Sequence, residues 1–186
     1  MSIVLDANYL VAWHQPDRID VPEDPATGAP IAKFAERIQY LIAQLDAATT
    51  RVVIPTPALA EFLVRAGPAG APIVAQLNKN KSFRLAEFGR RGAIEAAEII
   101  RNEVDVVGKG QSKPDSWPKA KFDVQIVAIA KIEGVEKVYT DDQGLANKCR
   151  RYGLTPVRFF ELPLPPDDTP PLFKYAEENP EEGGAG

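Results

Sequence analysis

Cysteine and histidine are nearly absent from this chain. Cys149 and His14 each occur once in 186 residues, which excludes an internal disulfide and any cysteine-based zinc cluster, and leaves a histidine-rich metal site or an HExxH helix without material. A Ser/His/Asp triad would depend on His14 alone, and a lone histidine after Trp13 is expected to be structural rather than a general acid. Long hydrophobic runs are missing as well. The best, Val124 to Ile132, has nine residues and contains Gln125 and Lys131, whereas a membrane span needs about 18. The opening MSIVLDANYLVAW has neither a basic n-region nor a small-residue cleavage site, so no secretory signal is read and a cytosolic protein without a membrane role is expected. What remains for chemistry is mostly carboxylate.

Hydrophobic residues at 45% and charged residues at 26% are those of an ordinary globular domain. The net charge of -4 hides an asymmetry. From Glu161 to the end seven acids stand against Lys174, while residues 1–160 hold 21 basic against 19 acidic residues. That last segment also has six of the 17 prolines and ends EEGGAG, the composition of an extended or partly disordered tail. Two parts follow: a mildly basic domain over 1–160 and an acidic, Pro-rich tail over 161–186.

Along the domain, strands alternate with helices. Ser2 to Leu5 is a short apolar run ended by Asp6, the pattern of a buried parallel strand. Asn8 to Trp13 can open a helix, and five Pro or Gly residues between Gln15 and Pro30 make a loop. Ile31, Phe34, Ile38, Leu41, Ile42 and Leu45 recur at helical spacing. Arg51 to Ile54 predicts a second strand, with Thr56 as N-cap and Pro57 at the first position of the next helix, Pro57 to Arg65. Ile73 to Asn78 predicts a short helix, Ser82 to Phe88 an edge strand or loop, and Ala93 to Val104 a helix with Ile94, Ala97 and Ile99 or Ile100 inward. Gly108 to Pro118 reads as a loop. Its GKGQSK string lacks the order of a P-loop. Lys119 to Glu133 predicts a helix, Lys137 to Thr140 a strand, Asp142 to Tyr152 a helix stopped by Gly153, and Thr155 to Phe159 a last strand. The expectation is an α/β doubly wound sheet.

In an open parallel sheet the strand C-termini and the starts of the following helices share the edge where ligands bind. Asp6, Glu61, Asp141 and Asp142 are expected there, joined by Asp123 near the start of its helix. Each acid alone has an ordinary explanation, since carboxylates favour helix N-termini by roughly 0.3–1 kcal/mol. Together they repel one another, and a divalent, oxygen-preferring cation removes that conflict. Carboxylates without histidine or cysteine suit Mg²⁺ or Mn²⁺, and such sites serve phosphoryl chemistry.

Four segments resemble the PIN-domain family of metal-dependent nucleases, which includes VapC-type toxin ribonucleases. IVLDANYL resembles the opening strand and D-x-[NS], with Asp6 the first acid and Asn8 its polar partner. IPTPALAEFL resembles the segment bringing the second acid, Glu61, and KFDVQIVAIA the third, Asp123. VYTDDQGLANKCRRYGL resembles the T-x-D segment, so that Thr140 and Asp142 match and Asp141 takes the variable position. The resemblance covers about residues 1–160. It implies a PIN-like three-layer sandwich around a parallel sheet of four to five strands, one or two Mg²⁺ or Mn²⁺ ions held by Asp6, Glu61, Asp123 and Asp142 with Asp141 as a substitute, and Asn8 and Thr140 orienting them. It also implies hydrolysis of RNA phosphodiesters, frequent homodimers and, in toxin members, an antitoxin partner.

Lys79, Lys81, Arg84, Arg90 and Arg91 gather five positive charges against Glu87, an expected phosphate-tracking surface weighed evenly against an ordinary solvated face. Lys119 and Lys121 precede Asp123 and are candidates for the same contact. Trp13 and Trp117 border loops, where stacking on a base competes with partial burial. Cys149 reads as a small buried residue. A PIN-like module that only binds RNA or protein is the alternative, and loss of an acid would favour it; none is missing. An aspartate-nucleophile phosphatase needs D-x-D, and Asn8 stands at that third position.

Overall fold

Short runs of Val, Ile and Leu bounded by polar residues form the strands. In the computed structural model, which describes residues 2–107 and 117–166 apart from the side chains of 104–107 and 117–120, they are β1 (Ser2–Leu5), β2 (Arg51–Pro55), β3 (Phe83–Ala86), β4 (Lys137–Tyr139) and β5 (Thr155–Val157). All pair in parallel, in the order β3-β2-β1-β4-β5. The helices are α1 (Ala7–His14), α2 (Phe34–Ala47), α3 (Thr56–Ala66), α4 (Gly70–Lys79), α5 (Arg90–Val107), α6 (Trp117–Ile132) and α7 (Gln143–Arg151).

Alternation along the central strands divides the core in two. Ile3, Leu5, Val52 and Ile54 face α1, α2 and α3, where they meet Leu10, Phe34, Ile38, Leu41 and Phe62. Val4, Val53 and Val138 point the other way, onto Ile99 of α5, Val127 and Ala130 of α6, and Leu145 and Cys149 of α7. Residues that alternate in sequence therefore fill opposite layers, and the result is the expected three-layer α/β sandwich with five strands.

Several boundaries move for local reasons. The α2 helix starts at Phe34 rather than Ile31 because Lys33 takes a left-handed conformation, φ 52°, although Ile31 is still buried. Thr56 is not the N-cap of α3. Pro55 holds that position without a side-chain bond, and the Thr56 hydroxyl instead accepts from the Phe88 amide at 3.1 Å, tying α3 to the chain after β3. On α5 the inward pair is Ala96 and Ile99, while Ile94 and Ile100 are exposed, which corrects the expected face. The uncertain segment at 82–88 forms the edge strand β3, and α7 ends where Gly153 supplies φ 76°. The loop expected over 108–118 lies largely outside the described residues, as do residues 167–186 of the tail.

The stretch Thr56–Lys79 has the length and mean hydropathy, 1.2, of a possible membrane span. Gly67 and Pro68 interrupt it at a three-residue turn, and Phe62, Ala66 and Leu77 are buried in the core.

The packed body continues past the boundary read at residue 160. Phe159 is buried, 4.3 Å from the Tyr9 ring and 5.0 Å from that of Phe34 between centroids. Leu162 is buried too, and its carbonyl accepts from Arg37. Phe159→Ala should therefore cost about 3–5 kcal/mol in chemical denaturation; a loss below about 1 kcal/mol would show that Phe159 covers the core without filling it.

Candidate functional site

The chain leaves β1 for β2 on one side of the sheet and returns to β4 on the other, so the C-terminal ends of β1 and β4 flank the point where strand order reverses. Open α/β sheets place ligand crevices at that point. A cleft of about 500 Å³ opens there, lined by Asp6, Asn8, Ala60, Glu61, Val64, Phe122, Asp123, Ile126, Asp142 and Leu145. Four acids distant in sequence are thus brought together by β1, α3, α6 and the start of α7.

Asp6 ends β1 and is the most buried of them, at 4% exposure. Its Oδ2 accepts from the Thr140 hydroxyl at 2.7 Å. The same hydroxyl oxygen accepts from the Asp142 amide at 3.1 Å, and the Asp142 carboxylate caps α7 by accepting from the Leu145 amide at 2.9 Å. One fully buried threonine therefore fixes both the first acid and the turn that carries the fourth. Burial pushes the Asp6 carboxyl up to about 6, the Thr140 bond and the Ala7 amide oppose that, and the charges of Glu61 and Asp142 add to it.

Glu61 lies in the second turn of α3 and is exposed. Asn8 projects from α1, and its Oδ1 accepts from Arg65 at 2.6 Å. Arg65 stands one turn beyond Glu61 and was not singled out in the sequence; the i,i+4 spacing from Glu61 was its available signal. Asp123 is in the second turn of α6, since that helix begins at Trp117.

Asp141 is not brought to the cleft. Its Oδ1 accepts from Arg158 Nε at 2.9 Å and lies 3.4 Å from the Phe159 amide, so of the two adjacent acids only Asp142 faces the crevice. His14 and Trp13 are also elsewhere. Trp13 stacks on Phe83 at 5.4 Å between centroids, and the His14 ring lies against Trp13 and Phe62, where burial lowers its basicity. Cys149 is buried behind the cleft, and desolvation with the charges of Asp6 and Asp123 pushes its thiol up to about 12, an unreactive residue.

The basic segment forms a separate groove of about 450 Å³ at the edge strand, lined by Arg84, Arg90, Arg91, Glu87 and Glu133 among others and sharing no residue with the acidic cleft. Arg84 is engaged there, with Nε 3.0 Å from Glu133 Oε2. Lys79 and Lys81 are exposed nearby in sequence. The side chains of Lys119 and Trp117 lie outside the described residues.

The cleft residues fit a hard divalent cation in kind: they offer carboxylate oxygens and no nitrogen or sulfur donor. A β-carbon at Gly144 would lie 3.0 Å from Asp142 Oδ1 and 3.5 Å from Asp123 Oδ2, so glycine leaves open the point at which two of the carboxylates meet. Among the described residues no group of three or more acid, histidine or cysteine side chains stands close enough together to hold a metal ion; the four acids line a common wall.

No protein-family model matches the chain, and no curated protein sequence does. Among solved structures, a chain of the "Crystal structure of VapBC2 from Rickettsia felis bound to a DNA fragment from their promoter" is similar, with a TM-score of 0.51 and 15% identity over 85% of this chain and 98% of that one. At that identity the likeness concerns the fold, a VapC-like, PIN-like α/β arrangement.

The buried Asp6 sets a pH dependence. A carboxyl whose folded value is raised holds its proton more tightly in the folded chain, so its contribution is fully present below about pH 4 and is lost as pH rises through about 6. In chelator, raising the pH from about 4 to about 7 should therefore destabilise the wild type relative to Asp6→Asn by on the order of 3 kcal/mol. Denaturation of both proteins across that range measures it, and a constant difference would mean that Asp6 is not desolvated.

Proposed function

We propose that this chain is a divalent-cation-dependent endoribonuclease that hydrolyses RNA phosphodiester bonds, of the kind that serves as the toxin of a toxin–antitoxin pair. The observation that carries this reading is the convergence of Asp6, Glu61, Asp123 and Asp142 on one cleft at the strand-reversal point. Like charges so arranged do not favour folding by themselves, and their chemistry is that of a site for one or two Mg²⁺ or Mn²⁺ ions. Such a cation, when bound, activates water and offsets charge on the phosphate oxygens.

The chain's own residues supply the rest. Asp6, Glu61, Asp123 and Asp142 would hold the cation. Thr140 keeps the Asp6 carboxylate turned toward the cleft and fixes the Asp142 turn, and Asn8 is steadied by Arg65. The only histidine is packed against Trp13 and Phe62, so the proton of the attacking water goes to carboxylate or solvent. Lys79, Lys81, Arg90, Arg91, Lys119 and Lys121 carry the RNA backbone, with Arg84 contributing less because of Glu133. The VapBC2 neighbour is described in a complex with DNA, which supports adding an antitoxin partner to the reading, and a small adjacent gene for a DNA-binding protein would bear it out; a homodimer and a cytoplasmic setting complete the reading by family resemblance alone.

Purified protein should cleave RNA with Mn²⁺ and be silent in chelator, and Asp6→Asn or Asp123→Asn should each abolish cleavage with the circular dichroism spectrum unchanged. A second readout is independent of activity. Mn²⁺ at a hundredfold excess over Kd should stabilise the wild type by roughly 2.7 kcal/mol and the Asp123→Asn chain by much less. Undiminished cleavage by the double variant, or a wild-type melting point indifferent to Mn²⁺, would end the proposal.

For the basic groove, Arg90→Ala with Arg91→Ala should weaken RNA binding and lower the slope of log K against log salt by up to about two contacts. An unchanged slope would return both residues to the solvated surface.

A further inference from the structure

The acidic cleft has apolar side walls that its charge chemistry does not need. Phe122, immediately before Asp123 on α6, is 48% exposed, and Val64, three residues after Glu61 on α3, is 84% exposed. Both line the same cleft as the four acids. On α6, Val124 and Ile126 through Ala130 are all buried, and among the described side chains of that helix Phe122 is the exposed large apolar residue. Scattered exposed apolar residues call for no explanation. Two of them, each within one helical turn of a cleft acid and on different helices, line the cleft in which the reacting group would lie.

Resting on the ribonuclease reading above, we propose that Phe122 determines substrate specificity by stacking one unpaired base next to the scissile phosphate, with Val64 as the apolar wall on the other side. A strand that delivers a phosphodiester to Asp6, Asp123 and Asp142 carries a base beside it. The exposed ring of Phe122 offers that base a flat apolar surface that is indifferent to its identity, since every base has a π-face. In a duplex the bases are held within the helical stack and present no face to a side chain, whereas loops and single strands splay them out. Phe122 thus selects by strandedness and not by sequence. It touches the substrate away from the reacting atoms, so its loss weakens the productive complex without removing the chemistry.

The test uses the full chain with Mn²⁺ and two substrates: a single-stranded oligoribonucleotide and the same strand in a fully complementary RNA duplex. Phe122→Ala should lower kcat/KM on the single strand by about five- to a hundredfold, the range that stacking on an aromatic is worth, and leave the low duplex rate unchanged. Phe122→Trp should restore the preference. Once the cut is mapped, an abasic residue next to it should impair the wild type by a similar factor and the Phe122→Ala chain hardly further, a non-additivity that a merely structural loss would not produce. Single-strand binding in chelator, followed by fluorescence anisotropy, should weaken in Phe122→Ala and recover in Phe122→Trp. If Phe122→Ala retains the wild-type preference, or the abasic penalty is equal in both proteins, the stacking role is overturned and the wall belongs to a protein contact. A wild type that binds RNA but cuts nothing defeats the ribonuclease reading alone. The anisotropy comparison then decides Phe122: a loss restored by Phe122→Trp supports the stacking role, and equal affinities overturn it.

Discussion

The site depends on a hydroxyl shared between two neighbouring strands. Because β1 and β4 pair in parallel with Leu5 opposite Tyr139, their next residues, Asp6 and Thr140, leave the sheet side by side. The Asp6 amide still donates to the Tyr139 carbonyl at 3.0 Å, and its own carbonyl accepts from the Tyr9 and Leu10 amides to start α1. Asp6 is therefore both the last rung of the sheet and the first of a helix, and its side chain keeps only 4% exposure. A buried carboxylate is costly unless it is hydrogen-bonded, and Thr140 provides that bond from a position with no exposure.

That arrangement spends stability in one place. Burial and the neighbouring charges of Glu61 and Asp142 raise the Asp6 carboxyl, and three basic residues have partners other than Asp6. Arg158 is bound to Asp141, Arg65 to Asn8, and Lys148 to Glu103. Local rules are violated at few positions in a well-ordered domain, and those positions tend to be functional. The elements carrying the site each have a strong reason to be where they are: Phe62 and Ala66 seat α3, Val127 and Ala130 seat α6, and Leu145 and Cys149 seat α7. Rigid packing behind a strained front is how charged groups are held close against their mutual repulsion.

What could be read from the sequence follows from where the signals are local. The strands around Ile3, Val53 and Val138 are legible because short apolar runs ended by polar residues have one outcome in an α/β chain, and the rim position of Asp6, Glu61, Asp123 and Asp142 follows from topology. Contacts between distant segments were not legible. That Asp142 and not Asp141 faces the cleft depends on Arg158, 17 residues away from Asp141. That Arg84 is occupied depends on Glu133, 49 residues away. The Thr56 hydroxyl serves Phe88 and not its own helix for the same reason, and the start of α2 hinges on one left-handed residue, Lys33. Arg65 lies in no motif and Phe122 only accompanies Asp123 in its segment; they matter because of what α3 and α6 bring beside them.

The separation of charge over the surface sets an order of events for a polyanion. With nearly balanced charge over residues 1–160, long-range attraction to RNA has to come from local patches rather than from the molecule as a whole. The groove at Arg90 and Arg91 is one such patch, and it shares no wall with the acidic cleft. Four carboxylates repel a phosphodiester as strongly as they attract a divalent cation, so on the ribonuclease reading the cleft admits the scissile phosphate only after its own charge has been offset. On the same reading Phe122 and Val64 act in the interval before that. Stacking is nearly insensitive to charge, and it gives an approaching base a reason to stay at the cleft mouth while the phosphate beside it is still opposed by the acids. On that reading, basic residues at a distance and apolar and acidic residues of one cleft divide the work of gathering, holding and cutting one strand.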